Sequence, residues 1–319
     1  MRTVSETRVP LPEASPAVQQ AHFGLTEWAL LAAVASMWGS SFVFIEAALD
    51  DFSPAVIAAL RVVFGIGTLV WFEKARVPIP RQEWRSIFLL GFFWMAAPFL
   101  LFPIAQQWID SSLAGMINGG VPIFAAVVAA LIVRALPSAR QVIGLVVGFV
   151  GVLTVSWPAS QGATASALGV VLVLLATMSY GFAINIAVPL QRRYGSLPVL
   201  LRAQLVALAL TAIPGLLALG DSTFSWRSLL ATVPLGCLGT GLAFLGMTTL
   251  AGRVGAARAA VTVYFIPVVA IALGALLLDE EIAPVSLVGT AMIILGAVLA
   301  SRHDRVDVPR PPLSVAAKR

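Results

Sequence analysis

Apolar residues in this chain neither alternate with polar ones nor recur in amphipathic stripes. They run on for about twenty positions at a time. Ten such runs cover residues 27–49, 53–73, 86–108, 111–133, 139–157, 167–190, 197–219, 227–250, 257–278 and 284–301. A helix rises about 1.5 Å per residue, so about 20 apolar residues cross a hydrocarbon layer of about 30 Å. Barrel strands would show a period of two, which these runs lack. The pattern predicts an all-α membrane protein of ten transmembrane helices. The longer polar links are "EKARVPIPRQEW", "PASQGATASA", "QRRYGS" and "GDSTFSW", and none has room for a soluble domain.

The pattern also repeats. At a constant offset of 145, Leu90-Gly91 matches Leu235-Gly236, Phe99 matches Phe244 and Ala114 matches Ala259. The same offset matches Pro122 with Pro267, Gly144 with Gly289 and Gly151 with Gly296. Proline and glycine set backbone geometry, so their coincidence weighs more than that of aliphatic residues. "MWGSSF" at Met37 and "SYGFAI" at Ser179 align with the offset at 142. A unit of five spans must enter the membrane from opposite sides in its two copies, which makes an inverted-topology repeat. Such repeats place a substrate site near the bilayer midplane and switch its access by exchanging conformations. The expected organisation is an N-terminal segment 1–26, a first repeat 27–157, a linker 158–166, a second repeat 167–301 and a basic tail 302–319.

Composition and charge sharpen this picture. Of 319 residues, 59% are hydrophobic and 11% charged, against about 25% charged in soluble chains. Mean hydropathy is +0.95. Seventeen of the 20 lysines and arginines fall on the side that holds both ends. Cytoplasmic loops are the basic ones, so both termini are expected in the cytoplasm, in a multi-pass protein of the inner (cytoplasmic) membrane. The basic balance then needs anionic lipid rather than nucleic acid. Residues 1–26 lack the apolar stretch of a cleavable signal.

Candidate chemistry is sparse. Cys237 is the one cysteine, and His22 and His303 lie outside the spans. No phosphate-binding glycine loop, metal-ligand cluster or nucleophile with a base is evident. No cofactor, metal or enzymatic activity is therefore expected. Polar and aromatic residues deep in the spans are the substrate-binding candidates: Trp38, Ser41, Phe42, Trp94, Asn118, Tyr180, Asn185, Phe244 and Tyr264. Mid-span Trp and Tyr need a partner or water for their polar tips, and Asn118 and Asn185 are equally suited to joining helices. Pro122 and Pro267 are expected to kink helices that line a cavity. Arg61 lies about 12 Å deep in the second run, and Glu46 approaches it from the end of the first, so the two suggest an intramembrane charge pair. The acids Glu280 and Glu281, at a span end, read as topology markers.

The "WGSSF" of the first span, "SPAVIAALR" opening the second and the A-x7-P spacing of the fourth and ninth resemble the drug/metabolite transporter superfamily. "LLLDEEIAPVSLVGTAMIILGAVL" resembles its ten-helix EamA-type members, in which a glutamate precedes a glycine by nine residues. Glu280 and Gly289 fit, whereas the first repeat has Ala135 before Gly144. The resemblance implies export of small metabolites, commonly amino acids. It also implies that helices one, three, four and their repeat mates surround the cavity, with five and ten outside as braces. Aromatic residues and few charges favour large neutral or aromatic amino acids, and no acid at mid-span suggests proton coupling. A drug or cation efflux carrier is the alternative, and a membrane sensor or lipid-modifying enzyme a more distant one. A monomer suffices, and nothing in the sequence sets an oligomeric state.

The topology is directly testable. A cysteine introduced at Ser160 should react with an impermeant thiol reagent in intact cells, and one at Ser138 should not. The reverse pattern would overturn the orientation.

Overall fold

The computed structural model describes residues 24–134, 138–160, 164–254 and 259–301. Residues 1–23, the whole of the 302–319 tail, the middle of the 158–166 linker and both histidines lie outside them. All regular structure among the described residues is helical. Helices α1 (Leu25–Leu49) and α2 (Pro54–Leu69) are continuous, as are α5 (Ala139–Ser160), α6 (Thr164–Tyr194), α7 (Ser196–Leu217) and α10 (Pro284–Ser301). The other four are built in pieces. Helix α3 runs Trp84–Gly91, passes through a π segment Phe92–Ala96 and continues as Ala97–Ala105; α8 likewise runs Trp226–Gly236, Cys237–Leu242 and Ala243–Val254. Helix α4 consists of Ser111–Asn118 and Val121–Val133, and α9 of the 3-10 segment Ala260–Phe265 and the α-helix Ile266–Leu277. Among the described residues, eight spans are long and apolar enough to cross a membrane alone, and Pro54–Leu69 and Pro284–Ala300 are shorter apolar helices.

Polar contacts at the helix ends show that α1, α2, α7 and α8 each cross from one side to the other. On the side where α1 begins (the terminal side), Arg253 pairs with Glu27 at 2.7 Å and Arg193 with Glu83 at 3.4 Å. Arg202 donates there to the Ala75 and Arg76 carbonyls, holding the short link between α2 and α3. On the far side, Arg227 pairs with Asp50 at 3.0 Å, and the Ser53 N–H donates to Ser222 Oγ at 2.9 Å. Ser228 donates to Asp51 at 2.6 Å, and this bond, ahead of those from Ser225 and Thr223, holds the Asp51 carboxyl below the usual range.

The repeat is written in the backbone. The π segments of α3 and α8 begin at Phe92 and Cys237, and the second pieces of α4 and α9 begin at Val121 and Ile266, each pair 145 residues apart. The left-handed residues that end these helices, Arg134 and Asp279, both at φ 53, keep the same offset. Pro122 and Pro267 lie in the first two positions of a new helical piece. This corrects the expectation of kinks inside a helix: a proline there needs no N–H partner and pre-sets the helical φ.

The most extensive packing between any two helices joins α5 to α10. A Cβ on Gly151 would lie 2.7 Å from the Ile293 nitrogen and 2.8 Å from the Gly289 oxygen, and Gly296 meets the Gly148 backbone as closely. Small residues let these backbones approach, which replaces the hydrophobic driving force missing between helices in lipid. The other face of α5, with Val146, Phe149 and Leu153, is exposed, as expected of an outer brace. Gly151→Val should therefore destabilise the fold by about 1–3 kcal/mol, as overpacking does, and lower its melting temperature in detergent. Gly67→Ala, where a Cβ meets nothing within 4 Å, should leave the melting temperature unchanged. Equal effects of the two would contradict the packing argument.

Candidate substrate site

The π segment of α8 organises the midplane. A π turn widens the helix and frees backbone groups, and such turns are frequent at functional sites. Trp38 of α1 donates its indole N–H to the Gly239 oxygen at 3.1 Å. Gln204 of α7 donates to the Thr240 oxygen at 2.9 Å, and Arg61 of α2 donates from Nε to Thr240 Oγ1 at 2.8 Å. The Arg61 guanidinium lies over the Phe99 ring of α3, 3.9 Å from its centroid. Beside it, Phe244 makes edge contacts with Trp38 and Trp94, at centroid distances of 5.4 and 4.9 Å. Trp38, Trp94, Tyr180 and Phe244 are only partly buried although they sit deep in the spans. Five helices from both repeats thus meet at one polar and aromatic cluster.

Toward the far side the bundle is filled. Phe42 meets Phe102 edge-on, and Phe102 stacks on Tyr180. Gln106 of α3 donates to the Phe42 oxygen at 2.8 Å and to Glu46 at 3.2 Å. Gly119, in the break of α4, faces Pro267, in the break of α9, so the two interruptions cross each other. Every residue of Ser111–Asn118 is buried.

One carboxylate closes this end. Glu280, just past α9, accepts from the Ser111 N–H at 2.9 Å, the Ser111 hydroxyl at 2.7 Å and the Ser112 N–H at 3.0 Å. Asp110 holds the N-cap position of α4 but makes no capping bond. The other repeat supplies the cap, with a charge that also complements the helix dipole. Burial and the Glu280 charge push the Asp110 carboxyl up. Gly274 keeps the space for this arrangement, because a Cβ there would collide with the Glu280 carboxylate. Glu280 is therefore a structural latch, which corrects its reading as a topology marker.

The terminal side is different. Inverted symmetry relates the contact of α1 with α4 to one of α6 with α9. The first pair packs, mainly through Ser111–Asn118, while the second has no comparable packing among the described residues. Likewise α10 packs on α4, without comparable packing of α5 on α9 among the described residues. The second piece of α4, from Phe124 to Ala130, is only partly buried along its length.

The sequence candidates divide accordingly. Trp38, Trp94 and Phe244 belong to the midplane cluster, Tyr180 stacks on Phe102 toward the far side, and Ser41 adjoins the cluster, its Oγ bonded to the Met37 oxygen at 3.1 Å. Phe42 is part of the far-side filling. Asn118 is buried at the α4 break, and neither its Oδ1 nor Thr262 Oγ1 near the α9 break has a hydrogen bond among the described residues. Asn185 joins helices instead, donating to the Ala125 and Gly181 oxygens. Tyr264 donates to the Ala297 oxygen and ties α9 to α10. The expected Glu46–Arg61 pair does not form: Glu46 is taken by Gln106, and Arg61 turns toward Thr240 and Phe99. Sequence reasoning missed Thr240, Gly239, Phe99 and Gln106; only the glycines flanking Thr240 hinted at backbone exposure. Two apolar grooves, of about 410 Å³ between α9 and α10 and about 590 Å³ between α2 and α8, open on the outer surface away from these candidates.

Comparison with known proteins places this geometry. The sequence matches the EamA-like transporter family over residues 26–157 and again over 167–302. It is 27% identical to an "Uncharacterized transporter" of Archaeoglobus fulgidus, over 87% of this chain and 99% of that one. It is 25% identical to the "Probable terminal-alkyne amino-acid exporter" of Streptantibioticus cattleyicolor, over 86% and 93% of the two chains. A solved crystal structure at 16% identity shares the fold with a TM-score of 0.55, over 86% of this chain and 96% of that one.

The latch makes a measurable prediction. In a Cys237→Ser background, a cysteine at the fully buried Ala114 should resist aqueous thiol reagents. Adding Glu280→Gln, which removes the charge of the cap, should speed its labelling by roughly 5–30-fold, as loss of a cap of about 1–2 kcal/mol implies. Unchanged labelling would mean that Glu280 does not hold the far side shut.

Proposed function

The chain belongs to the EamA-like transporter family, and from that premise we propose that it is a secondary transporter exporting small metabolites, most of all large neutral or aromatic amino acids. The observation that carries alternating access is the broken symmetry of the packing: α1 packs on α4 on the far side, and among the described residues α6 has no comparable packing on α9 on the terminal side. Two copies of one unit in unequal states form one of two mirror conformations, and exchanging their roles moves the opening to the other side. With both termini cytoplasmic, this conformation receives substrate from the cytoplasm.

The substrate class follows from the midplane walls. Trp38, Trp94 and Phe244 offer aromatic faces to an apolar side chain, and the relative named an amino-acid exporter is consistent with that class. A cation carrier is disfavoured because the fixed charge at the midplane is the cation Arg61. The acids of the described residues lie at or near helix ends. A proton carrier titrating with the access change would belong at the centre, so transport runs down the substrate's own gradient.

Purified protein in liposomes should take up labelled large neutral amino acids, and a protonophore should leave the uptake unchanged. Trp94→Ala and Phe244→Ala should each cut it by roughly tenfold, the scale of one lost aromatic contact with its burial, while yield and melting temperature stay near wild type. Parallel loss of yield and transport would return these residues to a packing role. Accumulation against the gradient that collapses with the protonophore would overturn the uncoupled mechanism.

A further inference from the structure

Arg61 is 6% exposed and lies within a membrane span. A guanidinium keeps its charge in proteins, and a buried charge costs several kcal/mol unless it is paired and hydrogen-bonded. Four arginines at or near the span ends show what satisfaction looks like. Arg202 donates to two backbone oxygens, and Arg193, Arg227 and Arg253 have carboxylates. Arg61 makes one hydrogen bond among the described residues, from Nε to Thr240 Oγ1, and rests on the face of Phe99. No carboxylate of the described residues forms an ion pair with it.

Fixing Nε and the ring plane leaves the Nη1–Nη2 end of the fork as the free edge. That edge has the spacing for two parallel bonds to a planar carboxylate. Nη2 lies beside Gly239, 3.9 Å from where a Cβ would stand, and that Cβ would also come within 2.6 Å of Ser41 Oγ. Glycine at this point leaves room for the Ser41 hydroxyl beside the guanidinium. The aromatic group of Trp38, Phe244 and Trp94 adjoins the same stretch of α8. A charged end and an apolar wall thus stand side by side at the midplane.

We propose that Arg61 anchors the carboxylate of the transported molecule, with Thr240 and Phe99 as positioning residues that aim its free edge. The inference rests on the reading of the chain as a transporter with a midplane site, and it names the chemical feature that the site selects. A ligand carboxylate neutralises the one midplane charge, so affinity depends on the acid function more than on the rest of the molecule.

The test is binding to the full-length purified protein, read by thermal stabilisation and calorimetry. The probes are phenylalanine, its carboxamide, which lacks the acid, and 3-phenylpropionate, which lacks the amine. Wild type should bind both acids and bind the amide at least roughly tenfold more weakly, the discrimination expected of bonds between charged groups. In Arg61→Gln, acid and amide should bind within about threefold of each other, because removing both halves of one interaction is not additive. Should that variant fail to fold, Arg61→Lys keeps the charge and loses the fork, and it should narrow the same ratio. Wild type that ignores both acids, or that binds acid and amide alike, overturns the anchor. So does a variant that keeps the full discrimination. Carboxylate binding that persists while liposome uptake of amino acids fails would sink the amino-acid export reading and leave the anchor standing.

Discussion

Inside a hydrocarbon layer no water is present to take up a stray N–H or C=O, so each interruption of a helix must be answered by protein or by a wet cavity. This constraint governs where the chain departs from ideal helix. The departures fall at four places related in pairs by the repeat, namely the π segments of α3 and α8 and the breaks of α4 and α9. In α8 and α4 groups from other helices meet the irregular backbone. Trp38 and Gln204 donate to oxygens of the α8 π segment, and Asn185 reaches the α4 oxygen at Ala125. Where the answering group is charged, as with Glu280 on the α4 N-terminus, it comes from the opposite repeat. The irregular backbone and the cross-repeat contacts are therefore one feature seen from two sides.

Because both repeats carry the same irregular points, the differences between them describe a conformation. The α4 and α9 interruptions cross at Gly119 and Pro267, near the middle of each span, where small reorientations on either side change the ends most. The far-side pieces are pressed together around Ala114, Gly115 and Ala270, while the terminal-side pieces stand apart. The brace of α5 and α10, held by backbone contacts through Gly144, Gly148, Gly151, Gly289 and Gly296, supplies a rigid flank against which such pieces can move.

Much of this was legible in the residues, and the exceptions have a common cause. Ten crossings follow from run length, and the repeat follows from proline and glycine at a constant offset, because those residues act through their own backbone. The role of Glu280 could not be read this way. An acid at a span end looks the same whether it faces water or caps a helix nearly 170 residues earlier in the chain. The π segments were also hidden, since "FFWMA" and "CLGTGL" share no residue pattern; only the backbone shows their equivalence. Depth along adjacent spans suggested that Glu46 and Arg61 could meet, but depth leaves rotation about the helix axis open. Rotation sends Glu46 to Gln106 of α3 and Arg61 to Thr240 of α8.

The latch is also where the two repeats are chemically unequal. Arg134 and Asp279 share the left-handed geometry that ends a helix, and the next residues are Ala135 and Glu280. An alanine cannot accept an N–H, so the mirror conformation has no carboxylate at the matching position to cap α9. A cap of this kind contributes about 1–2 kcal/mol, which shifts a two-state balance by roughly 5–30-fold. In the proposed two-state mechanism, the cap would hold the empty protein toward the state with the far side shut. A ligand moves such a balance only through different affinities for the two states. Under the alternating-access mechanism proposed above, the midplane cluster can provide that difference, because Trp38 of α1 and Arg61 of α2, both in the first repeat, bond to the π segment of α8 in the second. Substrate bound among them would then alter the cost of the exchange, while the latch would set which side waits open in its absence.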